Sequence, residues 1–360
     1  MRTVVVTGSA GSGSSTVALG LARGHVQQGR RTVLVRQGAA SAEAPEGGEQ
    51  QPVTRTVDPL AWAGATWDAA APVRRLLGPP WSTLDGHSLL PVPGLSELSW
   101  WGVLRQVWSE GWDTVVVDAG PVAASLPWLT VPDTAVGLLR RTSPLAERAG
   151  AAAGTLEAGS WHLRAMAWLD SEAAELLDTL RSGATSVVVV TEPNPHQLGR
   201  ALQALAPMAL FELPVTDIVV NRVHARRSHE LAVCDRLRER LPDIAVHSAA
   251  ERRRPPPPLD LATEVWPSLT LGPRPPRPRV GRTGEQFVWH WRLPFAEREQ
   301  VAATIAGEDM VLTVGPARRS VPLPSVLRRC HLQGATMSGP VLRLTFLPDP
   351  AIWPANKEEP

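Results

Sequence analysis

The sequence contains no tyrosine, a single lysine (Lys357, near the C-terminus) and only two cysteines in 360 residues. Without tyrosine, a reductase built on a Tyr/Lys couple is excluded. Cys234 and Cys330 stand far apart with no C-x-x-C, so neither a disulfide framework nor a zinc site is expected, and the chain suits a reducing cytoplasm. A net charge of +1 gives no bulk attraction to nucleic acid or a membrane surface. No apolar run reads as long enough to cross a bilayer, and the first strand begins too early to leave room for a signal peptide. A cytoplasmic chain without an integral membrane segment is therefore expected. His162, His196, His224, His229 and His247 have no metal-ligand spacing.

What the chain does have is an apolar β-branched run that stops at a glycine loop. Val4–Val6 lead into Thr7-Gly8-Ser9-Ala10-Gly11-Ser12-Gly13-Ser14-Ser15-Thr16, followed by a helical pattern from Ser14 to Gln28. Gly8, Gly13 and Ser15 fit the spacing G-x-x-x-x-G-K-[ST], whose backbone N–H groups cradle phosphate and whose hydroxyl meets Mg²⁺. Ser14 stands where the lysine belongs. The residues alone leave two readings, a plain strand-to-helix turn or a ligand cradle without its cation. A dinucleotide fingerprint fits less well, because Ala10 replaces its middle glycine and Arg36-Gln37 ends the second strand without an acid.

Strands at 31–35, 112–121, 186–193 and 217–223, with a short one near 244–246, alternate with helical stretches at 58–77, 99–110, 138–181 and 196–206. That alternation predicts an α/β fold with a parallel sheet covered by helices on both faces. Residues 39–53 are small, acidic and Gly/Pro-rich and read as a loop. Residues 252–283 are Pro/Arg-rich and read as a linker, with 259–266 docking back on the first domain. Beyond it the period becomes two, through Phe287, Trp289, Trp291 and Leu293, which predicts a small antiparallel β-sandwich. The expected organisation is a P-loop domain at 1–251, a linker at 252–283, a sandwich at 284–350 and a tail at 351–360. The 14 tryptophans read first as core. Trp161, Met166 and Trp168 are assigned to core, with a helix-binding surface as the alternative.

Five segments in order resemble the ArsA family of anion-transporting ATPases, which includes the ATPase that delivers tail-anchored membrane proteins. Gly8–Thr16 resembles the family loop G-K-G-G-x-G-K-[ST]-T. Val92–Leu98 resembles its L-P-G-x-x-E-L segment, Asp118–Leu126 its D-T-A-P-T-G-H-T-L segment, and Val219–Val223 its V-V-N-R-V strand. Residues 291–324 resemble the small-heat-shock-like (alpha-crystallin-like) domain appended to bacterial members. The resemblance implies a P-loop ATPase domain, usually dimeric, with Asp118 and Ser15 associated with Mg²⁺ and Asn221 at the adenine. Without the resemblance, Asp118 reads as a turn or cap residue and Asn221 as a strand-end amide.

The departures shape the functional expectation. Both lysine positions of the family loop are serines, Ser9 and Ser14. Gly38 holds the position of the Asp that aligns the attacking water, and Ala124 that of a histidine. Phosphoryl transfer depends on positioning and on cationic stabilisation of phosphoryl oxygens, and losing one such group costs roughly 10²–10³ in rate. The expectation is a degenerate ATP site with weak ATP and Mg²⁺ binding and very slow or absent hydrolysis, in a regulatory or partner subunit. Its partner would be a second copy or an intact family paralogue. The alternatives are an active ATPase coupling nucleotide state to a client or anion, and a non-enzymatic chaperone-like binder of hydrophobic protein clients. Arsenite is disfavoured because the family's cysteine cluster is missing. The clusters Arg226–Arg227 and Arg252–Arg254 read as solvated faces or linker rather than as substitutes for the lost lysines.

Overall fold

The computed structural model describes residues 1–38, 51–71, 85–86, 93–142, 161–224, 226–251 and 276–353. The chain forms two units, one of Met1–Pro132, Glu175–Ala201 and Thr216–Pro273, the other of Asp133–Ala174, Leu202–Val215 and Arg274–Pro360.

The first unit is built on a seven-stranded sheet in the order β3-β2-β4-β1-β5-β6-β7. Its strands are β1 (Arg2–Gly8), β2 (Thr32–Gln37), β3 (Val53–Val57), β4 (Thr114–Pro121), β5 (Thr185–Thr191), β6 (Val215–Val223) and β7 (Ala245–Ala250). β1 lies parallel to both β4 and β5. Runs of β-branched residues form these strands because both faces are covered; Val4–Val6, Val115–Val117 and Val187–Val190 are no more than 3% exposed. From β1 the chain first builds one side of the sheet and then the other. In open α/β sheets, ligands bind beyond the carboxyl ends of the strands at such a reversal, and the β1 loop lies there. α1 (Ser14–Gln27) places Val17, Ala18, Leu21 and Ala22 in one buried cluster with Val4, Val6, Val116, Val188 and Val219.

Helices α2 (Pro59–Ala69) and α3 (Leu95–Ser109) cover the β3 side of this unit. Asp58 caps α2 by accepting from the N–H groups of Leu60 and Ala61, both at 3.0 Å. Gly102 of α3 is required by packing: a Cβ there would lie 2.0 Å from Trp62 Nε1. Helix α4 (Val122–Thr142) starts directly after β4. Its Trp128 stacks on Trp100 at 4.8 Å and accepts, through its carbonyl, a 2.8 Å hydrogen bond from Trp101 Nε1. These tryptophans are core, as their composition predicted. Val122–Arg141 is the one helix among the described residues long and apolar enough to cross a membrane by length and composition, with a mean hydropathy of 1.3. Within the fold, its Ser125, Trp128 and Leu129 are buried.

Helices α5 (Trp161–Leu180), α6 (Pro195–Leu210) and α7 (Ser228–Arg240) complete the α-helices among the described residues. Trp168 corrects the sequence reading: it is 56% exposed, and neighbouring Leu169 is 48% exposed. Helical spacing alone does not say which face turns inward, and Met166 of the same helix is only partly buried. The Trp161 side chain lies outside the described residues.

The second unit contains the antiparallel strands. β10 (Val301–Ala306), β11 (Asp309–Val314) and β12 (Ala317–Pro322) form one sheet; β13 (Cys330–Ser338), β14 (Val341–Pro348), β9 (Gln286–Arg292) and β8 (Arg279–Thr283) form the other. Trp291, Leu293, Leu312, Leu327, Leu344 and Phe346 fill the space within this unit, each at most 1% exposed. In the same unit, the guanidinium of Arg319 on β12 donates to both carboxylate oxygens of Asp133, to the Leu210 carbonyl at 2.7 Å and to Glu212 at 2.9 Å. Asp309 accepts from Arg140 at 2.8 Å and from Arg141 at 2.9 Å. Burial alone would raise the Asp309 carboxyl, but hydrogen bonds from Arg141, Ser320 and Arg140 hold it below its ordinary range.

Four strands escaped the sequence reading. β3 begins at Val53, at the edge of the predicted loop, and β8 lies inside the stretch read as linker. β10 and β13 carry few large apolar residues and are mostly exposed, so they lack the alternation that marked β9. Residues 39–50, most of the 252–283 stretch including 259–266, Val92 and the tail beyond 353 lie outside the described residues.

A pH effect follows from His25 at the end of α1. Burial, then the nearby charges of Arg30 and Arg2, push its imidazole down to about 4. The unfolded chain protonates this group at its ordinary value near 6.5, while the folded chain resists until about pH 4. Stability present above about pH 6.5 is therefore lost progressively as pH falls towards 4. Denaturant midpoints measured at pH 7 and pH 4.5 should show a drop that His25→Gln diminishes.

Candidate functional site

The loop between β1 and α1 is shaped by its glycines. Gly11 and Gly13 have φ of +81° and +85°, a region open to glycine and costly for other residues. A Cβ on Gly13 would lie 2.6 Å from Asn221 Nδ2, and one on Gly8 would lie 2.2 Å from the Val190 carbonyl oxygen. Space thus requires glycine at both Gly8 and Gly13, and at Gly13 the backbone conformation requires it as well.

Three side chains from the β5 and β6 side hold three successive loop carbonyls. Gln197 Nε2 donates to Ala10 O at 3.1 Å, an Arg222 guanidinium nitrogen to Gly11 O at 3.1 Å, and Asn221 Nδ2 to Ser12 O at 2.8 Å. With these carbonyls held, the N–H groups of Ala10, Gly11, Gly13 and Ser14 have no acceptor among the described residues. The hydroxyls of Ser9 and Ser12 are also buried without a hydrogen-bond partner, in residues that are 6% and 0% exposed. Buried polar groups are ordinarily paired, so two orphan hydroxyls in a loop of free N–H donors require an explanation. An oxyanion at the start of α1 supplies one, since the helix dipole and the loop donors both favour negative charge there.

Ser14 opens α1 and is 8% exposed, whereas Ser15 and Thr16 are exposed. Asp118 near the end of β4 is partly exposed; one of its oxygens accepts from the Gly120 N–H at 3.3 Å, and the other has no partner among the described residues. Thr7 ties β1 to this segment, donating to the Gly120 carbonyl at 2.9 Å and meeting Ser125 Oγ at 2.8 Å. The loop, Asp118 and Asn221 are thus drawn to one end of the sheet. Asn221 spends both ends of its amide locally, with Nδ2 on Ser12 and Oδ1 on the Arg222 N–H at 2.9 Å. Gly38 directly follows β2, its N–H donating to Val57 O at 3.2 Å.

The geometry suits phosphate through the backbone donors and the Ser9 and Ser12 hydroxyls. The free Asp118 oxygen and the exposed Ser15 hydroxyl suit Mg²⁺ and its water shell. Neither lysine position of the loop can add charge, because both are serine. No His/Cys/Asp/Glu cluster that would hold a metal unaided occurs among the described residues.

Sequence reasoning missed Arg222. Its guanidinium pairs with Glu192 as well as with the loop. Its place in the V-V-N-R-V strand was legible, but its direction was not. A cavity of about 700 Å³ opens beside it, lined by Glu192, Asn194, Arg222, His224, His229 and Arg236 among others. Buried Glu230 braces this wall: the His224 N–H, donated at 2.7 Å, and the Arg227 guanidinium keep its carboxyl below its ordinary range.

Residues 84–245 match a family model described as anion-transporting ATPase, and residues 284–346 match one for an HSP20-like domain found in ArsA. The first match includes Asp118 and Asn221; the β1 loop precedes it. Over 99% of its length the chain is 31% identical to Uncharacterized protein SCO2128 of Streptomyces coelicolor, all of which is covered. It is also 26% identical over 98% of its length to Protein Rv2184c of Mycobacterium tuberculosis, covering 97% of that protein.

Proposed function

From the premise that this chain belongs to the ArsA family of anion-transporting ATPases, with that family's HSP20-like domain at its C-terminal end, we propose that it is a degenerate member, one that binds nucleotide weakly and hydrolyses it very slowly or not at all. The observation that carries the reading is the loop itself. Its left-handed glycines and orphan Ser9 and Ser12 hydroxyls retain a phosphate cradle, while serine stands at both positions where the family loop has lysine. ATP with Mg²⁺ is the proposed ligand, with Ser15 and Asp118 beside the metal.

In this reading the protein works as a regulatory or partner subunit in the cytoplasm, in a dimer of two copies or with an intact family paralogue whose loop supplies the missing cations. A second reading, a binder of apolar protein segments, is favoured by Leu138, Trp168 and Leu169, which are 60%, 56% and 48% exposed.

Trp128 gives a direct test, because it lies on the helix that follows Asp118 and stacks on Trp100. ATP with Mg²⁺ should change the tryptophan emission of the full chain saturably, and Trp128→Phe should remove most of that change. A signal that rises linearly without saturation would count against nucleotide binding.

A further inference from the structure

Resting on the phosphate-cradle reading above, we infer that Arg222 supplies the positive charge the loop has lost, and that Glu192 holds that charge in reserve until an oxyanion displaces it. Among the described residues, Arg222 is the one cationic side chain hydrogen-bonded to the loop, at the Gly11 carbonyl.

Three features direct it there. The register between β6 and β7 shifts between Val220 and Val223, so Arg222 lies in a bulge, a device that re-aims a side chain. Its φ is +58°, a left-handed conformation rare for a residue other than glycine and found where the surrounding structure enforces it. The Asn221 side chain enforces it, accepting the Arg222 N–H at 2.9 Å while its amide nitrogen holds Ser12 O. The same asparagine therefore fixes both the loop and the arginine.

The guanidinium is only half withdrawn from solvent, with 51% of its side-chain surface exposed, while its partner Glu192 retains 19%. It also lines the cavity of about 700 Å³ that Glu192 and Arg236 border. An arginine fork can exchange a carboxylate for two phosphate oxygens without changing its own geometry. Glu192 then acts as a competing internal anion: it neutralises Arg222 in the free protein and lowers affinity for any ligand that must take its place.

The test is calorimetric titration of the full-length protein with ATP and Mg²⁺ at two salt concentrations. Arg222→Gly is the deletion of choice, since glycine accepts the left-handed backbone and the fold is spared strain. It should weaken binding at least tenfold and flatten its salt dependence. Arg222→Lys should restore the salt dependence in part, and Glu192→Gln should tighten binding severalfold. Wild-type binding that Arg222→Gly leaves unchanged would overturn the role of Arg222 while sparing the cradle. Binding seen only in Glu192→Gln, and lost again in the double variant with Arg222→Gly, would support Arg222 and refute weak binding by the native chain. Absence of binding in both wild type and Glu192→Gln would overturn both.

Discussion

Arg319→Ala should destabilise the sandwich-bearing unit by about 3–5 kcal/mol, the usual cost of removing one member of a buried ion pair. Arg319 is 5% exposed and gives its donors to Asp133, Glu212 and the Leu210 carbonyl. Its guanidinium also lies 5.7 Å from the Trp291 ring centroid and 6.0 Å from that of Phe211, so its loss removes packing as well as charge. The alanine takes a cation away from two largely buried carboxylates, 10% and 20% exposed. Arg319→Lys should recover only part of the loss, because one ammonium cannot reproduce a fork that reaches three groups. Replacing Arg319, Asp133 and Glu212 together by apolar residues should recover more, since it removes the charges along with the need to pair them. Denaturant unfolding of the full chain provides the measurement. A change under 1 kcal/mol for the alanine would show that the charges are solvated and the packing slack.

Ser14→Lys should tighten ATP binding by at least tenfold without producing efficient turnover. Ser14 opens α1 directly after the left-handed Gly13, where a side chain follows the loop donors. A charge-assisted hydrogen bond to phosphate contributes about 1.5–3 kcal/mol, which is about 10- to 150-fold in affinity. Turnover should remain low because Ser9, Gly38 and Ala124 still depart from the family pattern. Adding Ser9→Lys and Gly38→Asp should then raise the rate by steps, each electrostatic or positioning group being worth roughly 10²–10³. The Ser14→Lys variant should also depend less on Arg222, since two cations at one phosphate share the same oxygens. Affinity unchanged by Ser14→Lys would mean that phosphate does not reach the loop.

The sequence disclosed the first domain through contrasts that physical chemistry makes sharp. Buried parallel strands are written as valine runs, and Val4–Val6, Val115–Val117 and Val187–Val190 stood out for that reason. The loop was legible because Gly8 and Gly13 cannot carry a Cβ where they lie. What stayed hidden depends on side-chain direction or on long-range pairing. Trp168 follows a helical apolar pattern yet faces outward. β10 and β13 are mostly exposed strands with little periodicity. Arg222 is one arginine among many until a bulge and a left-handed backbone turn it onto Gly11. Arg319, in a run of two arginines before Ser320, reads as surface until Asp133 and Glu212, more than a hundred residues earlier, arrive beside it.

In the proposed function, the cradle holds nucleotide without hydrolysing it. Single-turnover incubation of excess full-length protein with ATP and Mg²⁺, following bound nucleotide and released phosphate in the same sample, tests it most directly. A cradle that binds without hydrolysing gives saturable binding, nucleotide recovered as ATP, and phosphate release no faster than with Asp118→Asn. Phosphate released by the wild type at a rate that Asp118→Asn abolishes would contradict it.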